Sequence, residues 1–185
     1  MEPEPGNTGG GIAIIAKVSK TRVLTEVAVM VALAYVLNLI KIFHLPQGGS
    51  VTLGSMIPIL LIAFRHGLSM GASAGVVFGL VQLAFEGYIY HPVQVLLDYP
   101  IAFCVLGLAA LFKKQPILGV VVGMAGRFLA HFISGFVFFG IYAPPGWNPI
   151  VYSAVYNGSY IIPEMIISII FIYLLIQRDV FRLNL

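Results

Sequence analysis

The sequence predicts an all-α membrane protein, a bundle of six transmembrane helices with both termini on the cytoplasmic side. Three observations predict it. Hydrophobic residues fill 59% of the 185 positions and charged residues only 9%, against roughly 25% charged in an ordinary soluble domain. Apolar runs of helical length recur six times between turn-forming or charged breakers. Basic residues gather in every second connection. A water-soluble fold of this size could not cover so much apolar surface, so the bilayer is the solvent for most of the chain.

The first apolar run spans residues 23–42 and ends at Leu45-Pro46-Gln47-Gly48-Gly49. The second, residues 53–64, is short and contains Pro58. Arg65-His66-Gly67 separates it from the third, residues 68–85, which Glu86-Gly87 closes. The fourth covers residues 93–112, the fifth 117–141 and the sixth 150–176. Lys113-Lys114-Gln115-Pro116 and Ala143-Pro144-Pro145-Gly146 divide them. A membrane helix needs about 20 apolar residues, so six spans and their loops use up the chain. We expect residues 1–20 to form a flexible cytoplasmic N-terminal segment, polar and rich in Pro and Gly at its start, and residues 21–185 a single six-helix substrate-binding domain. No basic stretch followed by a short apolar core and a cleavage site marks a secretory signal.

Lys17, Lys20 and Arg22 precede the first run, Arg65 follows the second, Lys113 and Lys114 follow the fourth, and Arg178 and Arg182 follow the sixth. With six spans all of these fall on one side, which the positive-inside rule makes cytoplasmic. The opposite loops hold only Lys41, His44 and His91. The formal net charge of +3 and its placement give no nucleic-acid footprint. Cys104 is the sole cysteine, so an internal disulfide is excluded, and its apolar setting reads as packing. Gly67, Gly71, Gly75 and Gly79 recur every fourth residue, a stripe that lets a backbone approach closely; packing within the bundle is the expected use. Ala28 and Ala32 form a second small-residue pair.

Ionisable groups inside a membrane are costly and mark function. Asp98 lies about one and a half turns into the fourth helix, with Gln94 one turn before it, Tyr99 beside it and Pro100 next; it reads as a ligand or ion contact. Arg127, His131, Gly135 and Phe139 follow at four-residue spacing and share a face of the fifth helix. His131 either lines a cavity or is a buried histidine bonded to a neighbouring helix. The sixth helix opens with Tyr152, Ser153, Tyr156, Asn157 and Tyr160, then Glu164. Arg127 and Glu164 fall at similar depth at about 1.5 Å per residue, so we expect a structural ion pair between them. Polar groups thus concentrate in the outer halves of helices four to six, beneath loops bearing Tyr88, Tyr90, Tyr142 and Trp147. That arrangement suits an outward-facing pocket for a small, partly aromatic ligand, with Asp98 and the π faces matched to a cationic ring. No G-x-x-x-x-G-K-[ST] loop, H-E-x-x-H pair or G-x-S-x-G elbow is present. Neither ATP hydrolysis by that route nor metal or serine catalysis is expected, and no cofactor is called for.

Four stretches, GSVTLGSMIP over residues 49–58, HPVQVLLDYP over 91–100, RFLAHFISG over 127–135 and Tyr152 with Tyr156-Asn157-Gly158, resemble the thiamine-specific substrate-binding subunits of energy-coupling factor transporters. The resemblance covers nearly everything after residue 20. It implies a protein that binds vitamin B1 from outside and delivers it only with a transmembrane coupling subunit and two ATPase subunits. It places the coupling contact on Ala28 and Ala32, and the ligand contacts on Tyr88, Asp98, Tyr99, His131, Gly135, Phe139, Tyr152 and Asn157. Asp98, His131 and Asn157 would hydrogen-bond the pyrimidine and hydroxyethyl ends, while Phe139 and the tyrosines would stack on the rings. Two positions depart from the family pattern, which often has Glu in place of Asp98 and Trp in place of Phe139; Trp147 is the expected compensating ring. The alternatives are the same architecture serving a thiamine precursor or another small vitamin, a small membrane enzyme, and an uncoupled channel or carrier.

Overall fold

The computed structural model describes residues 9–178, with side chains from residue 20 onward. Residues 1–8 of the expected N-terminal segment, the side chain of Lys17, and Arg182 lie outside the described residues. The chain forms α1 (Gly9–Leu39), a hairpin of β1 (Lys41–His44) and β2 (Ser50–Thr52), then α2 (Met56–His66), α3 (Leu68–Glu86), α4 (Pro92–Phe112), α5 (Pro116–Phe138) and α6 (Pro149–Gln177). Five of the six helices, counting α1 from Lys20, are long and apolar enough to cross a membrane, as the six apolar runs require of all but the short second one.

Helix starts follow local chemistry. Pro92, Pro116 and Pro149 each open a helix, where a missing N–H costs nothing and φ is already helical. Asn148 caps α6 by accepting from the Ile150 N–H at 2.8 Å, as short amide side chains do.

The second crossing differs from the expected helix over residues 53–64. Helix α2 has 11 residues, about 16 Å of rise, which is roughly half a bilayer core. Extended chain supplies the other half: β2 reaches the middle of α6, where the Thr52 N–H donates to Glu164 Oε1 at 2.9 Å. Non-helical backbone at membrane depth is tolerated only where protein satisfies it, and Glu164 does so here. Helix α2 is enclosed by its neighbours, with Met56 through Phe64 all buried. Pro58 sits in its first turn, where no intrahelical bond is lost.

The hairpin was not evident as such. β1 occupies what reads as the tail of the first apolar run. It pairs antiparallel with β2 in the register Lys41–Thr52, Phe43–Val51 and His44–Ser50, with an irregularity between Lys41 and Phe43. Gly48 turns the chain at φ 93°, a left-handed value that favours glycine.

The glycine stripe of α3 packs within the bundle. A Cβ on Gly75 would stand 2.0 Å from the Phe103 carbonyl oxygen, and one on Gly79 2.6 Å from that of Tyr99. These glycines let α3 and α4 lie backbone to backbone. Helix α4 is also not uniform: Leu97–Ile101 form a π-turn around Pro100, and Val105–Phe112 tighten to 3-10 geometry. Pro100 has no N–H to offer, and the wider turn re-pairs the ladder, with Ala102 N–H donating to Leu97 O.

Arg65 and His66, at the end of α2, meet Glu26 in the middle of α1 at 3.2 and 3.4 Å. Lys41, after α1, meets Glu86, the last residue of α3, at 3.1 Å. One end of the bundle therefore gathers Arg22, Arg65, Lys113, Lys114 and Arg178, and the hairpin closes the other.

Candidate functional site

At the hairpin end α4, α5 and α6 surround a cavity of about 150 Å³, completed by the hairpin and the ends of α1 and α3. Helix α4 supplies Gln94, Asp98, Tyr99 and Phe103; the π-turn widens the helix where adjacent Asp98 and Tyr99 both face inward. Helix α5 and the residue after it supply Arg127, His131, Gly135 and Phe139. Helix α6 supplies Tyr152, Ser153, Tyr156, Asn157, Tyr160 and Glu164. All eight ligand contacts implied by the resemblance line this one cavity.

Asp98 is held by two neighbours. Gln94 Nε2 donates to its Oδ2 at 2.7 Å, and His131 Nδ1 lies 3.1 Å from Oδ1. Both sequence readings of His131 are therefore realised, since it lines the cavity and bonds a neighbouring helix. With the proton on Nδ1 its other nitrogen, Nε2, is an acceptor; that atom is buried and has no hydrogen-bond partner among the described residues.

Asn157 is held at both ends of its amide. Its Nδ2 donates to Ser153 O at 2.9 Å and approaches Ser153 Oγ and His131 O at 3.1 and 3.3 Å, while its Oδ1 accepts from the Tyr160 hydroxyl at 2.7 Å. Gly135 is required where α5 and α6 meet, because a Cβ there would lie 2.2 Å from Ser153 Oγ.

Arg127 Nη1 donates to Glu164 Oε2 at 2.6 Å. The pair is deeply buried, with side chains 8% and 2% exposed. Glu164 Oε1 also accepts from the Thr52 hydroxyl, which in turn contacts Ser55 Oγ at 2.7 Å. Phe103 lies beneath the guanidinium at 5.0 Å, a cation–π distance. The two heads line the cavity floor and also tie the hairpin to α5 and α6.

Phe139 stands in a cage of tyrosines, with ring centroids of Tyr88, Tyr90 and Tyr142 at 5.9, 6.2 and 6.3 Å. The Tyr142 hydroxyl, 3.5 Å away, pushes the Tyr88 phenol above its usual range, so Tyr88 stays neutral. Trp147, the expected compensating ring, is 48% exposed and lies outside the lining. The loop 143–148 holds it away from the cage, and three phenols take that place.

Sequence reasoning placed the site in helices four to six and the aromatic loops above them, and so missed one wall. Asn38, Gln82 and Glu86 line it, joined by Gln82 Nε2 to Asn38 Oδ1 at 2.6 Å and Asn38 Nδ2 to Glu86 Oε2 at 3.1 Å. Amides within apolar runs were the available signal. The hairpin also contributes, with Gly49 N–H donating to the Tyr156 hydroxyl at 3.1 Å. Among the described residues, no three His, Cys, Asp or Glu side chains come together as a metal site.

Residues 24–182 match the thiamine transporter protein family. The chain is 41% identical over 171 residues to thiamine transporter ThiT of Bacillus subtilis, covering 82% of this chain and 88% of that protein. It is 33% identical over 175 residues to thiamine transporter ThiT of Lacticaseibacillus paracasei, covering 83% and 86%. The structure of ThiT from Listeria monocytogenes superposes with a TM-score of 0.79 at 28% identity, covering 86% of this chain and 96% of that one. Five membrane-length helices, one polar cavity among them and these matches converge: the chain is a multi-pass membrane protein of the thiamine transporter family, a family of transporters and not of enzymes.

Proposed function

We propose that this chain captures thiamine on the outer face of the cell membrane and delivers it inward only together with an energy-coupling factor transmembrane subunit and two ATPase subunits. The observation that carries the ligand is the charge balance of the cavity. Three carboxylates line it: Glu86, Asp98 and Glu164. Lys41 neutralises Glu86 and Arg127 neutralises Glu164. Among the described residues Asp98 pairs with no lysine or arginine, only with the Gln94 amide and the His131 ring, beside a cage of aromatic rings. A carboxylate without a fixed cation, next to π faces, suits a flat monocation. Thiamine has that character, with its thiazolium ring, its aminopyrimidine and its neutral hydroxyethyl arm.

In this reading Asp98, held by His131 Nδ1, addresses the aminopyrimidine and also faces the thiazolium charge. Phe139 with Tyr88, Tyr99 and Tyr152 stacks on the rings. Asn157, engaged by Ser153 and Tyr160, offers the second lone pair of its amide oxygen. Arg127 and Glu164 form a structural floor. The basic end of the bundle faces the cytoplasm by the positive-inside rule, which turns the cavity outward and both termini inward.

Coupling is supported by two features. The chain has no phosphate-binding loop of its own. Ala28 and Ala32 both face outward from α1, which packs chiefly on α2 and α3, so that surface is free for a partner. The test is uptake of labelled thiamine in proteoliposomes. Uptake should require the coupling subunit and ATP, and Ala32→Leu should abolish it while leaving thiamine binding intact. Thiamine flux through this chain alone would show an uncoupled carrier instead.

A further inference from the structure

Gln94 is 1% exposed and makes contacts in two directions. Its Oε1 accepts from the backbone N–H groups of Tyr90 and His91 at 3.0 and 3.4 Å. Its Nε2 donates to the Tyr88 carbonyl at 3.1 Å and to Asp98 Oδ2 at 2.7 Å. The partners fix the orientation of the amide: two donors face the oxygen, and a carbonyl and a carboxylate face the nitrogen. The oxygen half is an ordinary helix device, since Gln94 is the third residue of α4 and closes a capping box with His91. The nitrogen half is not needed for capping, because Glu serves a capping box equally well. Of the two, only the amide can both cap the helix and donate to the Asp98 carboxylate without taking up a proton. The same side chain also ties down Tyr88, Tyr90 and His91, the segment whose rings cage Phe139.

We propose that Gln94 is a positioning and specificity-determining residue: its amide holds the Asp98 carboxylate aimed into the cavity, and locks the aromatic rim to it. This rests on the thiamine reading of the cavity. Gln94→Glu separates the two roles. It preserves the capping acceptor and removes the donor, placing two carboxyls where the amide–carboxylate bond was. Two carboxyls at that distance share a proton. The other ionisable groups around Asp98 are Tyr99 beside it on α4, His131 from α5 and Tyr160 from α6, with the Arg127–Glu164 and Lys41–Glu86 pairs beyond them; all are present in the parent protein too, so the parent is the reference for any proton count.

In ligand-free Gln94→Glu an infrared carboxylic-acid band should persist near pH 7 and vanish in Gln94→Glu/Asp98→Asn. Calorimetry in buffers of different ionisation enthalpy should show thiamine bound about tenfold or more weakly, with about one additional proton released per ligand relative to the parent. A Gln94→Glu protein that binds thiamine like the parent, with no added proton release, makes Gln94 a helix cap only and overturns the proposal, whether or not the band is seen. Should the variant not fold, the side-chain amide nitrogen resonance of Gln94 in the parent protein decides. It should move in Asp98→Asn and again on thiamine binding, and a resonance unmoved by both overturns the proposal. A parent protein silent to thiamine while the infrared pair forms would refute the thiamine reading and leave the Gln94–Asp98 contact standing.

Discussion

Asp98→Asn removes one charge and almost no volume, so it isolates the electrostatic part of recognition. Asp98 is 15% exposed on its side chain, deep enough to escape most solvent screening. A unit charge about 5 Å from a cation contributes about 3 kcal/mol at an effective dielectric of about 20, and part of that is offset by desolvating the cation. A loss of about 2–3 kcal/mol is expected, or roughly 30- to 150-fold in Kd. Hydrogen bonding changes as well. The new amide can still accept from His131, but if its NH2 faces Gln94 two donors meet. Turning Gln94 over would break its bonds to Tyr90 and His91. Titrating both proteins with thiamine and with an analogue whose thiazolium is replaced by a neutral ring separates these terms. The parent should prefer thiamine strongly and Asp98→Asn should lose most of that preference. Equal losses for the charged and neutral ligands would refute the charge argument and reduce Asp98 to a hydrogen-bonding group.

Other perturbations have equally definite outcomes. Glu164→Gln leaves the buried Arg127 charge uncompensated and weakens the anchor of β2, so it should cost about 3 kcal/mol or more in detergent unfolding; replacing both residues by Met should recover part of that loss. Gly75→Ala forces a methyl to within 2.0 Å of the Phe103 carbonyl, and separating α3 from α4 should lower stability by about 2 kcal/mol or more, seen as a reduced melting temperature. Trp147→Phe should change thiamine affinity less than about twofold, because Trp147 lies outside the cavity lining; a large loss by titration would return it to the site.

The spans were legible because the bilayer imposes simple rules. Length, apolarity and punctuation by Pro, Gly and charge located α3, α5 and α6 to within a few residues. The face shared by Arg127 and His131, and the matching depth of Arg127 and Glu164, followed from helical geometry alone. The hairpin was not legible, because Lys41–His44 and Ser50–Thr52, four and three residues long, are too short to stand apart from the runs they border. Their stability comes from partners distant in sequence, Glu86 for Lys41 and Glu164 for Thr52. The π-turn at Pro100 was hidden for a related reason: proline announces a broken bond and leaves open how the helix re-pairs around it. Asn38 and Gln82 carried a readable signal as amides inside apolar runs. Which side of the bundle they faced depended on how α1 and α3 pack, and nothing local encodes that.

The most direct measurement is calorimetric titration of the detergent-purified protein with thiamine, with its separate pyrimidine and thiazole halves, and with riboflavin and biotin. The charge balance around Asp98 and the aromatic cage at Phe139 predict thiamine binding tighter than about 1 μM, roughly −8 kcal/mol, weak binding of either half, and none of the other vitamins. A folded protein that gives no heat with thiamine, or binds a half as tightly as the whole, would contradict the account.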